Sequence, residues 1–449
     1  MQSPNAIRRE TGETAWRYPP MRAGILACAL LFLGYALAFV DRNIISLLVV
    51  PIEHDLGLTD VQLGLLQGTA FAIFYAVFGL PIAWSIDRFS RRSIVSMGIG
   101  AWSVMTCLSG LSHGFAPFFL ARVGVGAGES TILPGATSLL ADYFPPAARG
   151  RALGVFASAI YIGSALALIG GGAMLQRLHG HPLMLPLLGA MHPWQAVLLA
   201  AGSLGIPLAL LALLLREPPR RYLREGAPRN GDETGLLAIF RRHPIAIGAH
   251  FIGFTSMAFA SYGATAWLPT VFIRNYGWTP SMVGARMGLA ALIAGPIGSY
   301  LGGHLADSLE KAGRRDGKLL VGTLAALGAG LPAVWLAFSS HAAPTFAAVT
   351  IILFFISMVW GIAPAALQEI VHGAALARVT AIYTALLNLF ALGVAPPSVA
   401  LIGKLLGTAH GGLAVSMAIV VSSACLIALC SFVAGRSAYL RARAALDAS

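Results

Sequence analysis

Ala83-Trp84-Ser85-Ile86-Asp87-Arg88-Phe89-Ser90-Arg91-Arg92 decides the fold when it is set beside Gly303-His304-Leu305-Ala306-Asp307 and the pair Arg314-Arg315. Each stretch places a small residue four positions before an acid and a pair of arginines after it. The two acids stand 220 residues apart, about half the chain. Each stretch also closes the second long apolar run of its half. A membrane protein built from two related halves shows weak internal symmetry of this kind. The single long polar stretch, 216–244, contains Pro218 and Pro219 and separates the halves. The expected organisation is therefore an N-terminal bundle over 1–215, a linker over 216–244 and a C-terminal bundle over 245–449.

Working outward, 57% of the 449 residues are apolar and only 11% are charged. Water-soluble domains carry about a quarter of their residues as charges, and disordered chains are less apolar still. Twelve segments are apolar over the roughly 20 residues that a helix needs to cross hydrocarbon. They lie near 23–51, 61–86, 93–112, 116–141, 152–175, 194–215, 245–273, 281–306, 319–339, 346–370, 379–402 and 412–435. The ten-residue alternation of a membrane barrel is absent. The expected fold is an all-α membrane protein of twelve transmembrane helices in two pseudo-symmetric six-helix bundles. The polar first 22 residues lack the pattern of a cleaved leader, so the first span is expected to be retained.

Of the 30 lysines and arginines, all but six fall in the N-terminal tail, in the loops after even-numbered spans, or in the C-terminal tail. Arg177, Arg274 and Lys404 are the basic residues of the opposite loops, and Arg42, Arg122 and Arg286 lie inside spans. Basic loops face the cytoplasm, so both termini are expected there, in the cell membrane. The formal charge of +12 is thus a topology signal, and no single basic face invites nucleic acid. Cys28, Cys107, Cys425 and Cys430 sit in apolar runs without ligand spacing and read as buried, reduced packing residues. No metal or cofactor motif is present. Gly110-Leu111-Ser112-His113-Gly114 has the spacing of a hydrolase nucleophile turn, but it falls in a short loop between membrane helices rather than between strand and helix. An enzyme is not expected.

The Ala83–Arg92 stretch resembles the G-x-x-x-D-R-x-G-R-R motif of the major facilitator superfamily, with Ala83 and Ser90 standing where glycines are usual. The resemblance implies that Ala83 permits close helix contact and that Asp87, with Arg88, Arg91, Arg92 and the matching Asp307, helps hold one conformational state. Phe39-Val40-Asp41-Arg42-Asn43, Pro51-Ile52-Glu53, Gly64-Leu65-Leu66-Gln67, Ala101-Trp102-Ser103 and Ala121–Ser130 further resemble the spinster branch. Eukaryotic members of that branch are associated with export of sphingosine phosphate and lysophospholipids. The resemblance implies a monomeric carrier of a lipid or small amphiphilic substrate.

Ionisable groups at membrane depth are costly and mark ion or substrate paths. Arg122 and Glu129 are seven residues apart and so project from one face of the fourth span, about 10 Å apart along its axis. Asp41, in the first span, falls at a depth between them. If these helices are neighbours, Asp41 can alternate between the cation and the other carboxyl. Asp41 and Glu129 are therefore the expected proton-coupling pair, tuned by Arg122. Arg42 points about 100° away from Asp41 and either faces the cavity or snorkels to the outer surface. Arg42, Arg122 and Glu129 are the candidate substrate contacts. Gly124 and Gly128 have the spacing of close helix packing, and Pro364, Pro396 and Pro397 are expected to break the tenth and eleventh spans. The expected function is proton-coupled alternating-access transport of an amphiphilic lipid; the alternative cargo is a small organic anion or drug-like compound.

Overall fold

The computed structural model describes residues 18–179, 183–185, 189–220, 240–372, 374–407 and 412–447. Linker arginines Arg221, Arg224 and Arg229 and tail residues Arg8, Arg9 and Arg17 lie outside these. In the first half, span 1 is Met21–Leu56, span 2 Asp60–Gln67 with Thr69–Arg88, and span 3 Arg91–Gly110. Span 4 is Phe115–Glu129 with Ile132–Tyr143, span 5 Pro146–Leu178 and span 6 Pro193–Leu213. In the second half, span 7 is Pro244–Tyr276, span 8 Pro280–Lys311 and span 9 Gly317–Trp335. Span 10 joins Ala342–Ser357 to Val359–Gln368, span 11 runs Ala374–Leu386, a π-turn at Leu387–Leu392, then Gly393–Leu405, and span 12 is Gly412–Asp447. Eleven described helices are long and apolar enough to cross a membrane. Span 4, which carries Arg122 and Glu129, completes the twelve.

The two halves repeat each other in packing. Spans 3–6, 3–4, 2–4 and 1–5 pack together in the first half, as 9–12, 9–10, 8–10 and 7–11 do in the second. The turn joining the first two spans of each half is also punctuated alike. Span 1 ends at Gly57 (φ 62°) and span 7 at Gly277 (φ 65°), left-handed positions that glycine adopts without a Cβ penalty. Two residues later Thr59 and Thr279 accept the Gln62 and Met282 amides at 3.3 and 3.2 Å, starting the next helix. A short antiparallel hairpin, Leu183–Leu185 with Gly189–Met191, joins spans 5 and 6; the apolar pattern does not foreshadow it.

Helix breaks have local causes. In span 4, Ser130 and Thr131 donate their hydroxyls back to the carbonyls of Ala127 and Gly128, competing with the helical ladder, and Pro134 supplies no amide for the Ser130 carbonyl. In span 10 the break is at Met358, with Pro364 inside the following helix, which corrects the expected position. In span 11, Pro396 and Pro397 also lie within a helix. They free the carbonyls of Leu392 and Gly393, directly after the π-turn. The Thr69 hydroxyl of span 2 donates to the freed Gly393 carbonyl at 2.6 Å, so one half satisfies a break in the other.

Contacts between halves lie from mid-depth to the end opposite the termini. A Cβ on Gly64 or Gly68 would meet the backbone of Pro397 or Leu392, and one on Gly172 or Gly284 would meet the carbonyls of Pro280 or Leu168, the last at 2.1 Å. Toward the termini, Gly79, Gly150, Gly154 and Gly303 on the same spans 2, 5 and 8 have open space beside them. The closest backbone approaches between the halves thus gather from mid-depth to the far end. Gly284→Leu is expected to pry the far end open, read as increased labelling of a cysteine placed beside it.

Cys28 and Cys425 are buried and Cys107 half-buried, but Cys430 is exposed, correcting the expectation for that residue. All four are free. Gly124 and Gly128 pack tightly on Met105 and on the Gly98–Trp102 backbone of span 3, as the small-residue spacing implied.

Candidate functional site

Spans 1 and 4 bring Asp41, Arg42, Arg122 and Glu129 together at mid-depth. The hydrogen-bonded partner of Glu129 is Arg42, whose Nη2 donates to Oε2 at 2.7 Å, while Asp41 lies within electrostatic reach of both Arg122 and Glu129. Asp41 instead accepts from the Thr106 hydroxyl of span 3 at 3.1 Å. The reason is helical azimuth. Asp41 turns into the core of the first half, and Arg42, about 100° further round, turns toward the space between halves. Arg42 therefore does not snorkel. Its side chain is 14% exposed, while Asp41, Arg122 and Glu129 are at most 1% exposed.

Arg122 is fully enclosed within electrostatic reach of both carboxyls, yet none of its guanidinium nitrogens has a hydrogen-bond partner among the described residues. The same holds for Asp41 Oδ1 and Glu129 Oε1. A buried guanidinium left in this way is costly, and its missing acceptors stand nearby. Aromatic rings complete the surroundings. The Arg42 guanidinium lies 4.8 Å from the Phe39 ring, 4.5 Å from Phe71 and 5.9 Å from Tyr75; Arg122 lies 5.9 Å from the same Phe71 ring. Such rings hold a weakly hydrated cation without neutralising it. Phe71, Tyr75 and Thr106 are not singled out by the sequence, because apolar spans are full of aromatics and hydroxyls and only the fold selects among them.

Other ionisable side chains of the spans are placed apart from this cluster. His250 is buried between Phe254 and Tyr383, and neither ring nitrogen has a hydrogen-bond partner among the described residues. His304 stacks on Tyr300, and Arg286 lies over the Trp278 ring at 4.5 Å. Glu369 joins Lys318, Arg443 and Tyr439 at the helix ends of the second half.

At the termini end, Ala83 lies in span 2 and Asp87 and Asp307 are exposed. Arg88 stacks over Trp84 at 4.2 Å. Arg91 donates to Asp142 at the end of span 4, to Glu217 at 2.7 Å and to the Pro218 carbonyl at 2.8 Å, and Arg92 donates to the Leu215 carbonyl at 2.8 Å. Glu217 also accepts from Ser90 and from the Arg92 amide. The start of the linker is thereby tied to the arginine pair. Pro218 and Pro219 favour extended backbone before them, which brings Glu217 to this spot. Burial pushes the Glu217 carboxyl up, but the Arg91, Arg92 and Ser90 donors outweigh it and hold the group below the usual carboxylate range. A carboxyl depressed in the folded state stabilises at neutral pH, and that contribution is lost as pH falls through its folded value. Glu217→Gln is expected to destabilise by about 1 kcal/mol at pH 7, with the difference from the parent vanishing in acid, as thermal unfolding in detergent would register.

At the far end, Arg274 of span 7 grips Asp60 with both Nη atoms, at 3.0 and 2.7 Å, and Glu53 at 2.6 Å. This guanidinium crosses from one half to the other. A cavity of 450 Å³ adjoins it, lined by Glu53, Asp60, Arg274 and Lys404 among others. It lies away from the Arg42 cluster. Among the described residues, no three His, Cys, Asp or Glu side chains are grouped to hold a metal ion.

Residues 31–396 match the family model described as Major Facilitator Superfamily. The chain is 32% identical over 297 residues to an MFS-type efflux pump of Mycolicibacterium smegmatis, covering 66% of this chain and 65% of that protein. It is 28% identical over 324 residues to protein spinster homolog 1 of Homo sapiens, covering 68% and 58% respectively. It is 26% identical over 302 residues to a probable L-galactonate transporter of Escherichia coli, covering 64% and 62%. The chain thus spans less than two thirds of the length of these curated relatives. In fold it is similar to the crystal structure of a bacterial homolog to the human lysosomal transporter Spinster in an inward-facing and unoccupied conformation. That match has a TM-score of 0.76 at 24% identity, over 95% of this chain and 98% of that one. With twelve spans in two matching bundles and a family model covering most of its length, the chain belongs to the Major Facilitator Superfamily, as a multi-pass membrane protein with spinster homologues among its relatives.

Proposed function

We propose that this protein is a proton-coupled carrier of an amphiphilic lipid, of lysophospholipid or sphingoid type, working by alternating access in the cell membrane. The observation that carries the reading is the Arg42–Glu129 pair, with Arg42 as the member that faces the space between halves. One guanidinium then has two mutually exclusive anionic partners. While Glu129 is charged, it holds Arg42. When Glu129 takes a proton, Arg42 is released for the anionic group of the cargo, and by linkage the bound cargo favours the protonated carboxyl. Asp41 and Arg122 form the second layer, a carboxyl and a cation whose pairing adjusts as Glu129 changes charge. The rings of Phe39, Phe71 and Tyr75 favour a cargo with apolar surface next to its charge. The basic loops put the termini in the cytoplasm, so with the close approaches gathered at the opposite end the site opens inward, and rocking of the bundles exposes it to the other side.

A second reading, a small organic anion as cargo, is favoured by the L-galactonate transporter among the relatives. Reconstituted protein in sealed proteoliposomes, given lysolipids and sugar acids separately under an imposed pH gradient, decides. Gradient-dependent movement of the lysolipids supports the lipid reading, and movement of the sugar acids alone replaces it with the second. Movement indifferent to the gradient removes proton coupling.

A further inference from the structure

The cavity of 450 Å³ at the far end straddles the seam between halves, and its charges are sorted by half. The acids, Glu53 and Asp60, come from spans 1 and 2, and the bases, Arg274 and Lys404, from spans 7 and 11. Val61 and Leu413 add apolar surface. The four charges are not equally spent. Asp60 gives both carboxylate oxygens to Arg274, and Glu53 gives it Oε2. The other oxygen of Glu53, whose side chain is 38% exposed, is left over on the first half. Lys404 is exposed and enters no ion pair among the described residues, so its ammonium is left over on the second.

Neither remaining group suits a simple ion. An anion at Lys404 also meets Glu53, and a cation at Glu53 also meets Lys404 and Arg274, so like charges offset much of the gain. A molecule with both an ammonium and an anionic group satisfies the two, its ammonium on Glu53 and its anionic group on Lys404. The cavity falls in the roughly 300–1,000 Å³ range of small-molecule sites. A ligand seated in this way has one partner on each half. Where the halves part at this end, Glu53 and Lys404 separate and the ligand keeps only one of them. It therefore binds the close-approach form better, and by linkage it holds that form. The basic loops put this end on the side away from the cytoplasm, so the ligand arrives from the outer medium or the outer leaflet.

We propose that the far-end cavity is a regulatory site for a small zwitterion, free in solution or as a lipid head group, whose binding across the seam holds the halves together at that end. The site slows the turn of the carrier toward the outside. This is independent of what the central cluster carries and of proton coupling.

The test reads how often the seam parts. Leu168→Cys places a thiol at a buried position whose backbone carbonyl opposes Gly284 of the other half, and Cys430→Ser removes the exposed thiol. Maleimide labelling is followed on the full chain in phosphatidylglycerol nanodiscs, which hold no zwitterionic lipid, with glycerophosphoethanolamine as the probe. On partly exposed charges a dissociation constant on the order of 1 mM is expected. At about 20 mM, a ligand confined to the close-approach form then slows labelling by about twentyfold. Ethanolamine or glycerol 3-phosphate alone should each do far less, and Lys404→Ala, compared with itself without ligand, should lose the slowing. Slow labelling in phosphatidylethanolamine nanodiscs with no solute added, again lost in Lys404→Ala, supports the proposal with the lipid head group as the source. Four results overturn it: equal slowing by glycerol 3-phosphate, slowing that survives Lys404→Ala, faster labelling with the zwitterion, or no response to either solute or lipid.

Discussion

Glu129→Gln is expected to lower pH-gradient-driven accumulation by about a hundredfold, the upper range of a coupling free energy between two sites, while leaving exchange of cargo across the membrane measurable. Glutamine keeps an oxygen where Arg42 Nη2 now finds Glu129 Oε2, so the shape of the site survives. The charge that competes with cargo for Arg42 does not. Cargo affinity in the variant should become nearly independent of pH, whereas in the parent it should follow the protonation of the carboxyl. Removing one member of a buried ion pair costs about 3–5 kcal/mol, and the variant leaves Arg42 and Arg122 with Asp41 as the sole anion of the cluster. Thermal stability must therefore be measured beside transport, and Asp41→Asn serves as the second arm. Asp41 is held by Thr106 rather than by Arg42, so its neutral form should fold with less penalty and still weaken coupling. Gradient-driven transport unchanged in both variants would remove these carboxyls from the proton path.

What the sequence discloses about this site is governed by how each signal arises. Burial of charge is a one-dimensional signal, so Asp41, Arg42, Arg122 and Glu129 stand out against apolar surroundings in the order of residues alone. The choice of partner is three-dimensional. Whether Asp41 or Arg42 faces the cavity depends on the rotation of span 1 against spans 3 and 5, and a modest rotation separates the two outcomes. Thr106 is one hydroxyl among many in the spans. Some features outside the cluster do leave a trace. The Gly57-Leu58-Thr59 and Gly277-Trp278-Thr279 turns repeat at the same 220-residue offset as Asp87 and Asp307, and their cap chemistry is readable from residue type. Glu217 is an acid directly before two prolines at the end of an apolar run, a fixed charge waiting for the arginines of the loop. The exposed Asp87 and Asp307 are a different matter. The resemblance gives Asp87 a state-holding role, but in this state Arg91 engages Asp142 and Glu217, and one sequence encodes every state of a transport cycle at once.

That state is held at the far end by Arg274, and Arg274→Glu is expected to undo it. The guanidinium grips Asp60 with two parallel bonds and Glu53 with a third contact, the fork geometry that lysine cannot reproduce. The carboxylates are about a third exposed, 38% for Glu53 and 33% for Asp60, while Arg274 is 13% exposed. The interaction is thus partly screened, worth about 1–3 kcal/mol rather than the value of a buried pair. Reversal does more than delete it, since three acids then face one another across the seam between halves. A shift of about 2 kcal/mol moves the balance between far-end-closed and far-end-open forms by about thirtyfold. Cysteines at the exposed positions His54 and Lys404 flank this seam on opposite halves, with exposed Cys430 removed so that labels report the seam alone. Spin-label distances between them should lengthen in Arg274→Glu and move partway in Arg274→Lys. Combining Arg274→Glu with Asp60→Arg should restore the parent distribution, because the swap returns an opposite-charge pair across the same gap, and a double-mutant cycle isolates that pair from other effects of either change. Distances identical in the parent and in Arg274→Glu would assign closure of the far end to backbone contacts such as Gly284 against Leu168 and Gly172 against Pro280. The same labels in Gly284→Leu would then carry the larger displacement, since a side chain there has no room unless the two helices separate.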